Sequence, residues 1–410
     1  MVYIRSLFFT TSMETAFHSF EAGRRAKPDE LETGIAELIG ASLLERDPFA
    51  RFDLRVSGKY HRHQPLVGIS GEVSMSVLDK EYRQDIARIV REHYRCVHRA
   101  PDATVRVRTH FKPQEIKLAG NRNAGDSGVA IGLAIAYTPY NLPIERFLAV
   151  EIRDVIDQIY HHDGKIPDDL ASRSGVSRLE GLRADGKVEV NFLYERGRIN
   201  RHFPKPLDLT IAVEHEEQLS LEELRHKLAL IVKAIYQKNI SGAGKEDLPN
   251  KSILINGLGP WHEGGWKVDE GSREAKSYRD GFATWGVAED SFSGEDPTKI
   301  SATGTFLARY IALEVIALEL ADVAKVTLQY RIGQEQPAFL NIDTEGTFRN
   351  HRALSGFIEM WKRQDLSIPA TIERFGLRDP QLYRQITEAS DFFHNPKFPW
   401  NKVDDKRHKS

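Results

Sequence analysis

Several short segments of this chain bring carboxylates and lysines together with glycine or proline, which is the raw material of a small charged site. In Gly125-Asp126-Ser127-Gly128 an acid lies between two glycines. Such a segment lets the backbone approach a ligand closely while the carboxylate takes an ammonium or a metal. Taken alone it also reads as a tight turn closed by an Asx hydrogen bond. In Glu295-Asp296-Pro297-Thr298-Lys299 the proline fixes the backbone before a helix. Lys299 is then expected in the first helical turn, directed at an anion. Arg183-Ala184-Asp185-Gly186-Lys187 precedes a clear strand and alone is an Asp-Gly turn. Asp269-Glu270-Gly271-Ser272-Arg273-Glu274-Ala275-Lys276 alone is a solvated, charge-rich loop. His61, His63 and the pair His161-His162 lack the carboxylate spacing of a metal-ligand set and read as surface histidines. Neither a P-loop nor a dinucleotide fingerprint is present, so any nucleotide is held by other means.

Composition narrows the classes. The chain has 410 residues, 40% hydrophobic and 28% charged, which fits a folded protein of two or three domains. Its net charge of −2 provides no bulk basic field for nucleic acid. Cys96 is the only cysteine, which excludes an intramolecular disulfide and fits a reducing cytoplasm. No signal peptide is expected, since Leu7-Phe8-Phe9 is a short apolar patch followed by polar residues. The most apolar helical pattern, Phe306 to Ala321, contains Arg309 and Glu314 and is expected to be too short and too charged to cross a bilayer. A protein without a membrane or nucleic-acid partner is the resulting expectation.

The elements that must position these groups can be read from periodicity. Ile86, Ile89, Val90, Tyr94 and Val97 fall on one helical face, as do Leu31, Ile35, Leu38, Ile39 and Leu43. Leu221 through Ile235 forms another helix, opened by a Ser220-x-x-Glu223 capping box, and Phe306 through Leu318 forms a further one. Alternation predicts strands over Val188–Tyr194, Leu207–Val213 and Val326–Ile332. Strand pairs beside single helices, recurring along the chain, indicate an α+β protein with three similar sheet-plus-helix domains. The segments 1–119, 120–256 and 257–403 are the expected domains, with 404–410 as a flexible tail. Ser241–Lys245 is an expected exposed turn, and Trp261–Asp280 is a long loop of the kind that is usually functional or disordered.

In this order, and with Phe398-Pro399-Trp400 near the end, these segments resemble the S-adenosylmethionine synthetase (methionine adenosyltransferase) family. The resemblance implies three pseudo-symmetric α+β domains, each a sheet with helices on one face, paired with a second subunit around shared active sites. It also implies that ATP and methionine form S-adenosylmethionine, with loss of tripolyphosphate. Glu72, Asp126 and Lys299 would hold the amino acid, and Asp185, Lys187, Asp269, Arg273 and Lys276 the nucleotide. Lys299, Lys276 and Lys27 would act at the reacting groups, with Asp29 on a magnesium ion and potassium as a further cation. His215, at a strand end bordering the implied adenosine pocket, is expected to be structural.

Departures from the family pattern concentrate at charged positions. Lys27 stands for a histidine, Glu30 and Glu295 for lysines, Ala275 for an arginine and Ser301 for a metal-binding aspartate. The potassium-site glutamate expected near Leu54 is absent. Lys27, Arg273 and Lys267 are candidates to restore lost positive charge. The alternatives are a paralogous ATP-dependent enzyme with another acceptor or leaving group, and a non-catalytic regulatory homologue.

Overall fold

In a computed structural model, residues 15–74, 80–115, 117, 120–121, 123–195, 204–240, 248, 250–271, 277–286 and 291–403 are described. Ten strands and nine helices longer than one turn organise them. The strands are β1 (Thr15–Gly23), β2 (Phe52–His61), β3 (Gln64–Val73), β4 (Arg106–Pro113), β5 (Gly128–Ile135), β6 (Leu182–Glu195), β7 (Lys205–His215), β8 (Ile253–Ile255), β9 (Val323–Tyr330) and β10 (Phe339–Asp343). The helices are α1 (Pro28–Arg46), α2 (Lys80–Val97), α3 (Ile144–His161), α4 (Asp168–Ser174), α5 (Leu221–Asn239), α6 (Ile300–Ala317), α7 (His351–Trp361), α8 (Ile368–Phe375) and α9 (Pro380–Ala389).

The strands form three sheets, in the orders β1-β6-β7-β8, β10-β9-β5 and β2-β3-β4, and helices pack on them as an α+β arrangement. The sheets interleave along the chain. β1, from the N-terminal segment, pairs antiparallel with β6, and β5, from the middle, pairs antiparallel with β9. Two of the three sheets are therefore closed by strands distant in sequence, which draws remote segments toward common edges.

Local chemistry explains the elements. Ser220 Oγ accepts from the Glu223 backbone N–H and starts α5, as the capping box predicts. Leu209, Ile211 and Val213 alternate into the core from β7, whereas Leu207 is exposed. Two expectations need correction. Ile332 lies beyond the end of β9 and is half exposed, because the chain turns at Gly333, whose φ is 74°. The apolar helix starts at Ile300 rather than Phe306, so by length and composition it is long enough to span a bilayer, contrary to expectation. It is instead mostly buried, packed on β5 and β9, with Ile311, Val315, Ala308 and Arg309 in the interior.

Arg309 is a buried staple. Its guanidinium donates to the carbonyls of Leu133, Tyr140 and Asn141, tying α6 to the end of β5 and the turn before α3. Burial without a facing carboxylate pushes its pKa down to about 9. The turn Ser241–Lys245 and the tail 404–410 lie outside the described residues.

Candidate active site

Lys299 is the residue immediately before α6, not a residue of its first turn. The preceding loop is pinned to β2 by backbone hydrogen bonds from Leu54 N–H to Gly294 C=O and from Asp296 N–H to Phe52 C=O. Asp296 has a structural role. Its fully buried carboxylate accepts from the backbone N–H groups of Phe52 and Thr298 and lies 3.5 Å from Arg51 Nε. Thus Pro297-Thr298-Lys299 is held in place, and the lysine side chain projects toward β2.

Its ammonium meets two acids. Lys299 Nζ lies 3.4 Å from Asp53 Oδ2 and 3.3 Å from Asp126 Oδ2. Burial alone would lower the lysine pKa, but the nearby charges of Asp53, Glu295 and Asp126 outweigh it and the net shift is upward. Asp126 reaches this point because Gly125 packs directly on Thr298, donating its N–H to the Thr298 carbonyl at 3.0 Å. A Cβ at Gly125 would lie only 3.0 Å from that carbonyl oxygen and 3.2 Å from Arg51, so a side chain there would push the two segments apart. Glu72 is exposed on β3 directly opposite Asp53 in the antiparallel register, and paired residues of this kind share one face of a sheet. Residues implied for the amino acid, Glu72, Asp126 and Lys299, are therefore gathered from three distant segments.

Asp53 was not foreseen. The β2–β3 hairpin escaped the periodicity reading because Gly58, Gly68 and Gly71 and exposed charged residues dilute its alternation. Pairing Asp53 with Glu72 would have required that hairpin register.

A second cluster gathers at the start of α1. Lys27 Nζ lies 2.6 Å from Asp29 Oδ2 and 3.9 Å from Asp269 Oδ2. Burial again opposes the charged lysine, while Asp29, Glu21 and Asp185 more than offset it, so the net pKa shift is upward. Asp185 is buried, and its carboxylate accepts from the N–H groups of Gly186 and Gly265, each at 2.6 Å. It thereby clamps the loop after Trp261 onto the turn before Lys187. Burial raises its pKa despite those bonds. Lys187 pairs with Glu21 at 2.8 Å. Asp269 and Lys267 are exposed on the same loop. Arg273, Ala275 and Lys276 lie outside the described residues.

Glu32, on the buried side of α1, fixes the loop from beneath. It accepts from Gly58 N–H at 2.7 Å and Trp266 Nε1–H at 2.9 Å, and burial pushes its pKa up to about 8. His215 is buried at the end of β7, and its Nε2 accepts from the Trp261 N–H, which supports the structural role expected of it. His61 and His63 are exposed at the β2–β3 turn.

β2 spans the two clusters. Asp53 faces Lys299, while Gly58 sits above Glu32 near α1, about 16 Å along the strand at its usual rise. The cavity lined by Lys299 and Glu295 does not include Lys27 or Asp29 in its lining.

The reversed charges are internally satisfied. Arg279 Nη1 donates to the buried Glu30 carboxylate at 2.9 Å, and Ser301 Oγ donates to the buried Glu295 carboxylate. The magnesium implied by the resemblance does not fit these donors. Lys27 occupies Asp29, Ser301 offers no carboxylate, and no group of three or more metal-type side chains is found among the described residues. Leu54 is fully buried and apolar, so it supplies no ligand for potassium.

The chain is similar to known proteins over most of its length. Residues 263–402 match the model of the S-adenosylmethionine synthetase C-terminal domain. The S-adenosylmethionine synthase of Desulforudis audaxviator is 28% identical over 415 residues, covering 94% of this chain and 95% of that protein. That of Aquifex aeolicus is 28% identical, covering 93% of this chain and 95% of that protein. That of Petrotoga mobilis is 25% identical, covering 98% and 97%. This chain is thus a divergent relative of the S-adenosylmethionine synthetases, and its residues 263–402 carry that family's C-terminal domain.

Proposed function

We propose that this chain is a methionine adenosyltransferase, forming S-adenosylmethionine from ATP and methionine. The observation that carries this reading is the placement of Lys299 between Asp126 and Asp53, beside Glu72. Carboxylates flanking one lysine suit an amino-acid zwitterion. Asp126 and Glu72 take its ammonium, and Lys299 takes its carboxylate.

The methionine sulfur attacks C5′ of the ribose with its own lone pair, so no activated side chain is needed. The S–C5′ bond forms, the C5′–O bond breaks, and its electron pair leaves with tripolyphosphate. Water then hydrolyses the tripolyphosphate. The chain's contribution is positioning and stabilisation of the leaving charge. In this reading Lys27 and Lys276 face the triphosphate, and Asp185, Lys187, Asp269 and Arg273 line the nucleotide site. Lys276 and Arg273 enter through the resemblance alone, since they lie outside the described residues.

Two copies are expected to build the site, since the Lys299 and Lys27 clusters lie apart along β2. Val129, Gln329 and Phe339 support this, forming a row across the face of the β10-β9-β5 sheet turned away from α6. Phe339 is 62% exposed there, an apolar group suited to an isologous contact. The single cysteine fits a cytoplasmic setting.

A second reading, a paralogous enzyme with another acceptor, is favoured by buried Glu295 standing near Lys299, because it adds negative charge to the amino-acid side of the site. Phosphate and pyrophosphate release from ATP tests the two. Release that requires methionine supports adenosyl transfer, release that requires a different acceptor supports the paralog, and no release with any amino acid contradicts catalysis.

A further inference from the structure

We propose that the ammonium of Lys27 takes the place of a divalent cation beside Asp29, so that a polyphosphate is held there without metal. This rests on the adenosyltransferase reading and concerns how the nucleotide site recognises its anion.

The Lys27–Asp29 contact is built into the fold rather than laid on the surface. The side chains are 13% and 9% exposed and their charged atoms are 2.6 Å apart. Lys27 directly precedes α1 with Pro28 at the first helical position, so its backbone is fixed where the ammonium must project. Magnesium requires near-octahedral oxygens at about 2.0–2.1 Å. Among the described residues, most carboxylates near this point are otherwise engaged. Glu30 accepts from Arg279, Glu32 from Gly58 and Trp266 through Oε1 alone, Asp185 from Gly186 and Gly265, Glu21 from Lys187, and Asp269 lies 3.9 Å from Lys27 itself.

The second position at which the resemblance implies a metal ligand is closed independently. Ser301 replaces that carboxylate, and its hydroxyl donates to Glu295. Two separate places thus carry internal pairing where a divalent ion would need open oxygens. An ammonium has three donors on a flexible stem, so Lys27 can keep Asp29 and still direct a hydrogen at a phosphate oxygen. The ligand class is a nucleoside triphosphate or inorganic tripolyphosphate.

The test is calorimetric titration of the full chain with a non-hydrolysable ATP analogue, in EDTA and in magnesium. The wild type is expected to bind in EDTA with a Kd within about threefold of its value in magnesium. Lys27→Ala is expected to lose about tenfold or more in EDTA, the scale of one charge-assisted hydrogen bond. It should recover in magnesium, because Asp29 is released to the ion. Manganese titration of the free protein by electron paramagnetic resonance should show one bound ion gained by Lys27→Ala. Asp29→Asn guards against a folding defect in the first variant, and should retain binding in EDTA because the ammonium remains. Wild-type binding only in magnesium overturns this proposal and leaves the adenosyltransferase reading standing. Unchanged EDTA binding by Lys27→Ala, or loss of EDTA binding by Asp29→Asn, overturns it as well. Absence of analogue binding under both conditions overturns the proposal and the nucleotide reading together.

Discussion

Ser301 donates its hydroxyl hydrogen to the carboxylate of Glu295, six residues earlier, across the start of α6. Both residues are buried, and both occupy positions at which the family pattern carries the opposite chemistry, a lysine and an aspartate. The two departures therefore compensate each other. Glu295→Lys alone is expected to destabilise by about 1–3 kcal/mol, since it strands Ser301 and places a second ammonium near Lys299. Glu295→Lys combined with Ser301→Asp should recover much of that loss, with a coupling of about 1–3 kcal/mol in a thermal-unfolding double-mutant cycle. Additive losses would show that the pair is not coupled. If Glu295 also repels the leaving triphosphate, the double variant should bind ATP more tightly than wild type, by a margin that shrinks with added salt.

Lys299→Met removes the cation between Asp53 and Asp126. The expected result is a fall in kcat/KM for methionine of about 10²–10³, the usual scale for losing a preorganised charge partner, with a smaller effect on the KM for ATP. Circular dichroism should show an intact fold. Equal losses toward both substrates would move Lys299 out of the amino-acid site.

Glu32 makes stability depend on pH. Its folded pKa of about 8 lies above its ordinary value of 4.5, so the folded state binds more protons between those limits. Its contribution is fully present below about pH 4.5 and is lost as pH rises through 8. Glu32→Gln keeps an oxygen for Gly58 N–H and Trp266 Nε1–H and does not ionise. The difference in Tm between this variant and wild type should grow in the variant's favour from pH 5 to pH 9. A constant difference would mean that Glu32 is ionised throughout.

Light scattering at micromolar concentration is expected to report a dimer or larger assembly, and Phe339→Glu should weaken it. A monomeric wild type would count against a site shared between subunits.

Much of this was legible in the sequence, for identifiable reasons. α1, α2, α5 and most of α6 show an uninterrupted apolar stripe, and the Ser220 cap marks its helix start. Asp126 and Lys299 could be paired because both match the amino-acid site of the family that the chain resembles. Asp53 could not, because it depends on a hairpin register that glycines and charged residues obscure. α3 was missed because Glu145, Arg146, Arg153 and Asp157 lie on its buried side and break the apolar pattern there. The charge reversals were visible as departures, but the partners that satisfy them, Arg279 for Glu30 and Ser301 for Glu295, required three-dimensional proximity.

The central claim is that this chain joins methionine to the adenosyl group of ATP. Mass spectrometry of the purified protein incubated with ATP and methionine, with ATP alone and with methionine alone tests it most directly. The account predicts a sulfonium product with the mass of S-adenosylmethionine only when both substrates are present. Tripolyphosphate, or phosphate plus pyrophosphate, should appear in equal amount. Consumption of ATP to ADP or AMP without that sulfonium, or no consumption at all, would contradict it.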